Sequence, residues 1–117
     1  PTPASLDGVS LMPLLRNPAS PRGDRTLFFH YPHYYATTTP VGAIRSGPWK
    51  LIEYFEDGRA ELYNLDDDPS ETTDLATSMP GRILELRENL ARWRQEVGAQ
   101  MPEPNPNAKK SSRPGNP

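Results

Sequence analysis

Two histidines three positions apart, His30 and His33, give this sequence its clearest capacity for chemistry near neutral pH. An imidazole donates and accepts hydrogen bonds, and an unperturbed imidazole changes its charge in that range. Both lie in an aromatic segment with Tyr31 and Tyr34, whose rings could stack on a flat ligand surface. In an extended strand, positions 30 and 33 face opposite sides unless the backbone bends at Pro32. From the residues alone, packed or hydrogen-bonded strand residues are the favoured interpretation of this segment, with contact to a ligand as the alternative.

The other residue types that support catalysis or metal binding are absent or poorly spaced. The chain has no cysteine, which excludes thiolate ligands and cysteine nucleophiles. Two histidines without a nearby carboxylate fall short of a zinc site. The acidic run Asp66 to Asp68 lacks the ligand spacing of a calcium loop, so we predict a solvated turn there. We therefore predict no catalytic residue and no metal ligand within this chain.

Four short β-prone segments surround the turn signals of the central region. They are typical of an antiparallel sheet, because aromatic and β-branched residues are bounded by turn formers. Gly47-Pro48 indicates a turn between the second and third strands, and Asp57-Gly58 a hairpin between the third and fourth. The predicted strands are residues 26–31, 41–46, 49–55 and 60–65.

One amphipathic helix is predicted after the strands, over residues 80–97. Pro80 suits its first turn and Gly98 its C-terminal cap. A single apolar stripe at spacings of three and four implies a helix laid across one sheet face, which is an α+β fold. The predicted stripe consists of Ile83, Leu86, Leu90, Trp93 and Val97.

The two ends of the chain carry much of its proline, of which there are 15 residues among 117. We predict that residues 1–25 form a strap that docks on another surface, with one helical turn from Ser10 to Leu15. Residues 26–98 form the α+β subdomain. Residues 99–117 form an extended proline-rich tail whose end is disordered.

The composition narrows the possible partners. A net charge of -2 with interspersed signs gives no electrostatic reason to expect nucleic acid or an anionic membrane surface. No apolar run is long enough to span a bilayer, and no signal peptide is visible. Because the chain opens on Pro1 rather than methionine, we interpret it as part of a longer or processed polypeptide.

The order of the motifs resembles the C-terminal portion of the type I, formylglycine-dependent sulfatases, in the arylsulfatase-like bacterial form. The similarity covers about residues 6 to 107. It runs through Leu6-Asp7-Gly8-Val9-Ser10-Leu11-Met12-Pro13-Leu14-Leu15, Phe29-His30-Tyr31-Pro32-His33-Tyr34, Ala43-Ile44-Arg45-Ser46-Gly47-Pro48-Trp49-Lys50-Leu51-Ile52, Glu61-Leu62-Tyr63-Asn64-Leu65, Asp68-Pro69-Ser70-Glu71, Asp74-Leu75 and residues 99–106.

This resemblance implies a small sheet packed against a larger catalytic domain of the alkaline phosphatase type, which is missing from the chain. That domain would supply formylglycine, made from a Cys/Ser-x-Pro-x-Arg sequence, and calcium. Ser46-Gly47-Pro48-Trp49-Lys50 has lysine in place of arginine, and we interpret it as a turn. The resemblance implies hydrolysis of sulfate esters on a carbohydrate, by the complete protein and not by this fragment alone, in the periplasm or outside the cell.

The resemblance also implies that the first strand and its following loop lie beside the active-site mouth. His33 becomes the first candidate for substrate contact, followed by His30 and Tyr34. Arg45 and Lys50 are predicted to be surface charges paired near Glu53 and Glu61. The tail departs from the family pattern at Asn107-Ala108-Lys109-Lys110, where relatives often continue into a tyrosine.

Two other functions stay open from the sequence. One is a noncatalytic module that binds carbohydrate or protein independently of any catalytic domain. The other keeps the superfamily but changes the reaction to hydrolysis of phosphate or phosphonate esters, which only the upstream nucleophile sequence would decide.

Overall fold

Four strands and two helices make up the regular structure of the computed structural model, which describes residues 8–20 and 25–106. The strands form one antiparallel sheet in the order β1-β2-β3-β4. This arrangement confirms the predicted α+β fold. The elements are α1 (Met12–Arg16), β1 (Leu27–Tyr31), β2 (Val41–Ser46), β3 (Trp49–Tyr54), β4 (Ala60–Asn64) and α2 (Pro80–Glu96).

The turns lie where the sequence predicts them. Gly47, between β2 and β3, has a φ of 55°, a left-handed conformation that glycine adopts without a steric penalty. Ser46 pairs with Trp49 directly across this turn. The segment from Ser46 to Lys50 is therefore a hairpin turn. The Ser46 hydroxyl also forms a hydrogen bond with the Thr26 hydroxyl, with an oxygen–oxygen distance of 3.2 Å.

The hydrophobic core lies between the sheet and α2. Ile44, Leu51 and Leu62 stand side by side on neighbouring strands and pack against Leu86 and Leu90 of the helix. All five side chains are buried. Burial of such side chains is the main favourable term in folding a domain of this size.

The helix ends one residue before the last position of its predicted apolar stripe. Phe28 stacks on Trp93, with ring centroids 5.0 Å apart, but Val97 is 55% exposed. The prediction that Val97 belongs to the packed stripe is wrong. The helical segment stops at Glu96 and Gly98 turns the chain at a φ of 62°, so Val97 lies beyond the packed turns.

The opposite side of the sheet carries no packed helix among the described residues, and its positions on β1 and most of those on β2 are apolar. Alternation along each strand places these residues on the side away from α2. The loop after β4 reaches this side at Lys50, through Glu71. We call this surface the open face and define it by Leu27, Phe29, Tyr31, Val41, Ala43 and Ile52.

The described part of the predicted strap contains the short helix α1. Ser10 Oγ accepts a hydrogen bond from the Met12 backbone N–H at 3.2 Å, and the helix ends at Arg16. This confirms the single turn near Ser10. The rest of the strap, residues 1–7 and 21–24, and the predicted disordered end, residues 107–117, lie outside the described residues. No described helix has the length and apolarity needed to cross a membrane.

Candidate functional site

His30 lies on the side of the sheet that faces α2. It stands opposite Gly42, and its ring is tilted against Phe55 at a centroid distance of 5.5 Å. Its Nε2–H donates a hydrogen bond to the Gln100 carbonyl oxygen at 2.7 Å. Nδ1 is buried and has no hydrogen-bond partner among the described residues. His30 thus fixes the start of the C-terminal tail against β1.

His33 lies on the other side, beside the open face. Its ring meets that of Tyr31 edge-on at a centroid distance of 5.6 Å and an interplanar angle of 85°. Its side chain is exposed, so both ring nitrogens can reach a ligand. The structure therefore does not bring His30 and His33 together, although β1 ends at Tyr31 and the chain bends at His33.

Tyr34 lies in the loop after β1. Its hydroxyl donates a hydrogen bond to Glu56 Oε1 at 2.6 Å. That bond, assisted by partial desolvation and the charge of Glu56, raises the pKa of Tyr34 above its ordinary value. The phenol is therefore neutral at physiological pH, and its oxygen can still accept a hydrogen bond from a ligand hydroxyl.

A cleft of about 390 Å³ separates the loop after β1 from the tail. Gly98 reverses the chain after α2, and the Gln100–His30 bond directs the following residues along this cleft. Its two carboxylates, Glu56 and Glu103, disfavour an anionic group but can accept hydrogen bonds from sugar hydroxyls. The lining residues are Pro32, Tyr34, Pro40, Phe55, Glu56, Pro102, Glu103, Pro104 and Asn105.

A second cleft, of about 380 Å³, lies on the other side of Tyr34 and is bounded by Tyr54 and Arg59. The Arg59 guanidinium lies 3.4 Å from the Tyr54 ring centroid and pairs with Glu61 at 2.5 Å. Burial, and next the charge of Glu61, raises the pKa of Tyr54. Sequence reasoning missed Arg59, although the predicted hairpin at Asp57-Gly58 already placed it across from Tyr54.

The predicted pairing of the strand cations needs a correction. Lys50 Nζ binds both carboxylate oxygens of Glu71 at 2.7 Å, not Glu53 or Glu61. Glu53 faces α2 and pairs with Arg94 at 2.7 Å, because it lies on the sheet face opposite to Lys50. Arg45 stands across from Lys50 and has no ion-pair partner among the described residues.

The acidic run after β4 forms a turn. The Asp68 carboxylate accepts backbone N–H bonds from Thr72 and Thr73, each at 2.8 Å. These bonds, with Thr73 the larger contributor, lower the pKa of Asp68. Across residues 8–20 and 25–106, no three His, Asp or Glu side chains come close enough together to hold a metal ion. The described residues therefore do not fit a calcium site.

The fold and its exposed surfaces define an α+β subdomain with one face packed and one face open. The chain belongs to a sulfatase family: residues 1–96 match the family model described as N-sulphoglucosamine sulphohydrolase, C-terminal.

Two curated relatives support this assignment. The chain is 32% identical over 100 residues to a sulfatase of Formosa agariphila, a match that covers 75% of this chain and 18% of the relative. It is 32% identical over 100 residues to arylsulfatase K of Rattus norvegicus, covering 77% of this chain and 17% of the relative. The chain thus spans about a fifth of the length of these proteins.

A solved structure shows the same fold. It is the structure of BT4656 in complex with its substrate D-glucosamine-2-N,6-O-disulfate, and it superposes with a TM-score of 0.57 at 25% identity. The match covers 84% of this chain and 21% of that protein. Both the family and the subdomain fold predicted from the sequence are therefore confirmed.

Proposed function

We propose that this chain is part of a sulfatase that hydrolyses sulfate esters of a carbohydrate, and that it contributes scaffold and substrate recognition. The family match carries the proposal. The carbohydrate substrate is supported by the structural relative, whose substrate is a sulfated glucosamine. The exposed His33 and the neighbouring Tyr34 supply hydrogen-bonding groups of the kind that a sulfated sugar requires.

The chain itself supplies neither a nucleophile nor a metal site under this proposal. It has no cysteine, and Ser46 begins a strand turn rather than a helix. Formylglycine and calcium would belong to the catalytic part of the polypeptide. The periplasm or the cell exterior is the proposed location, on the basis of the family resemblance.

The three candidate contact residues take different roles in this proposal. His33 is assigned to the substrate because its ring is exposed beside the open face. Tyr34 offers its hydroxyl at the cleft between the loop and the tail. His30 holds Gln100 through Nε2, so we assign it to positioning the tail that forms one wall of this cleft.

Replacing His33 by alanine in the complete polypeptide tests the recognition role. A hydrogen bond to a charged group contributes about 1.5 to 3 kcal/mol. We therefore expect kcat/KM on a sulfated glucosamine to fall at least about tenfold, with most of the change in KM. Steady-state kinetics on the purified enzyme provides the measurement.

Two further variants control this experiment. His33→Asn retains a hydrogen-bond donor and should recover part of the lost kcat/KM. Leu84→Ala changes an exposed side chain on α2 and should leave both constants unchanged. If His33→Ala matches the unmodified enzyme in kcat and KM, the recognition role of this residue is wrong.

A further inference from the structure

The cleft between the loop after β1 and the tail, which we call the tail cleft, has preformed walls. Four of its nine lining residues are prolines, whose rings fix the backbone φ angle. The tail is held against the sheet by the hydrogen bond between His30 Nε2 and the Gln100 carbonyl oxygen. Phe55 is fixed on the other side by its ring contacts with His30 and Arg94. The volume of the cleft, about 390 Å³, lies in the range of small-molecule sites.

The charges that line the tail cleft are all negative. Glu56 and Glu103 line it and are exposed, and the described lining residues include no lysine or arginine. The Tyr34 hydroxyl binds Glu56 Oε1, which leaves Oε2 to accept a hydrogen bond from a ligand. A sulfate or carboxylate group would be repelled here, because like charges that face each other raise the free energy of a complex. The ligand of this cleft therefore donates hydrogen bonds and carries no negative charge.

Tyr34 gives the tail cleft an aromatic wall of fixed orientation. Its side chain is 71% exposed, and the 2.6 Å hydrogen bond from its hydroxyl to Glu56 holds the ring. The cleft thus offers an apolar ring surface beside hydrogen-bond acceptors. A sugar residue has the complementary chemistry, since its C–H groups form apolar faces and its hydroxyls donate hydrogen bonds around the edge.

The tail cleft and His33 lie on opposite sides of the sheet. His33 lies beside the open face through its contact with Tyr31, whereas Phe55 of the cleft contacts Arg94 of α2. Tyr34 follows His33 directly in the chain and lines the cleft. A ligand that contacts His33 and also fills the cleft must pass across the loop at Tyr34. It is therefore longer than one sugar residue.

We infer that the tail cleft is a subsite for a sulfate-free sugar residue, linked to the sulfated residue that His33 contacts. The substrate class is then an oligosaccharide in which a sulfated residue has a neighbour without sulfate. Glu56 and Glu103 determine this specificity, because their charges disfavour a second sulfate in the cleft. The inference rests on the proposed function, which supplies the sulfated sugar at His33.

Kinetics of the complete polypeptide on two kinds of disaccharide test this inference. N,N′-diacetylchitobiose, whose acetyl groups keep its amines uncharged, is prepared with a 6-O-sulfate on either residue or on both. The initial rate of sulfate release gives kcat/KM for each compound. We expect the better monosulfated isomer to exceed the disulfated compound at least about tenfold at low ionic strength. The preference should shrink as salt is added, because salt screens exposed charges.

Variants that remove the two charges identify their source. The double variant Glu56→Gln with Glu103→Gln keeps hydrogen-bond acceptors at both positions, and its preference should fall below about threefold. Glu88→Gln is the matched control, since it removes the same charge at an exposed position of α2 and should leave the preference unchanged. An unmodified enzyme without preference, or an equal loss of preference in Glu88→Gln, would overturn the inference. Cleavage of sulfated glucosamine without cleavage of any of these disaccharides would also overturn it.

A binding measurement separates the subsite from the proposed function. If the polypeptide releases no sulfate, saturation-transfer NMR with sulfate-free N,N′-diacetylchitobiose still probes the cleft. Binding that Tyr34→Ala abolishes would retain the subsite and contradict the proposed function. Absence of binding, or binding that Tyr34→Ala leaves unchanged, would contradict both. Sulfate release without preference between the disaccharides would retain the proposed function and overturn the subsite.

Discussion

Replacing Leu90 by alanine is expected to lower the free energy of unfolding by about 2 to 5 kcal/mol. Leu90 is completely buried and packs in the cluster formed by β2, β3, β4 and α2. Truncation removes its apolar contacts and leaves a cavity that a core with five fully buried side chains among the described residues cannot refill. In a domain of this size, that loss is a large share of the total stability.

Urea denaturation followed by tryptophan fluorescence measures this loss, because Trp49 and Trp93 both pack against the cluster. Leu84→Ala is the matched control on the same helix. Leu84 is exposed, and its truncation should change the free energy of unfolding by no more than about 0.5 kcal/mol. Equal midpoints for the two variants would show that α2 does not pack on the sheet as described.

Replacing Glu53 by alanine is expected to lower the free energy of unfolding by about 3 kcal/mol. The loss arises because the arginines that pair with this carboxylate keep their positive charges without a partner. Glu53 Oε2 lies 2.7 Å from Arg94 Nη1, and its Oε1 lies 3.4 Å from Arg87 Nε. The Arg94 side chain is only 12% exposed. Without the carboxylate, this guanidinium stays largely desolvated and uncompensated.

The absence of a side chain at Gly42 of β2 leaves room for Arg94. Its guanidinium lies over the Phe55 ring, 4.8 Å from the centroid, and against the Cα of Gly42, where an added Cβ would collide with Arg94 Nη2. Glu85→Ala is the control, since it breaks the exposed pair with Arg82. Exposed pairs contribute about 0 to 1 kcal/mol. Comparable losses for Glu53→Ala and Glu85→Ala would contradict a special role for the partly buried Glu53–Arg94 pair.

Most of the fold could be predicted from the sequence because its signals are local. Positions 47 and 58 require left-handed backbone, and their glycines locate both hairpin turns. The spacing of Leu86 and Leu90 in the sequence gives the buried face of α2. Val97 fits that spacing as well, but whether a residue at that end reaches the sheet depends on where the helix stops.

The charge pairs could not be predicted, because they depend on how separate elements meet. Glu53 meets Arg87 and Arg94 only once α2 is docked across β3. Lys50 meets Glu71 only along the observed path of the loop after β4, in which Glu71 itself adopts a φ of 56°.

The candidate site was predictable in part. The sequence left two outcomes open for His30 and His33, opposite sides of the sheet or one cleft after a bend at Pro32, and in the structure the two rings lie on opposite sides. The contact between His30 and the Gln100 carbonyl was not predictable, because 70 residues separate the two. Only the turn at Gly98, combined with the packing of α2, returns the tail to the sheet.

The identity of the ester that is cleaved tests the central claim most directly. The complete polypeptide is incubated with N-sulfated and 6-O-sulfated glucosamine and with the corresponding glucosamine phosphate, and released inorganic sulfate and phosphate are quantified. We predict release of sulfate from at least one sulfated sugar, at a rate well above that for phosphate. Release of phosphate without sulfate from either sulfated sugar would contradict the account and would favour phosphate ester hydrolysis instead.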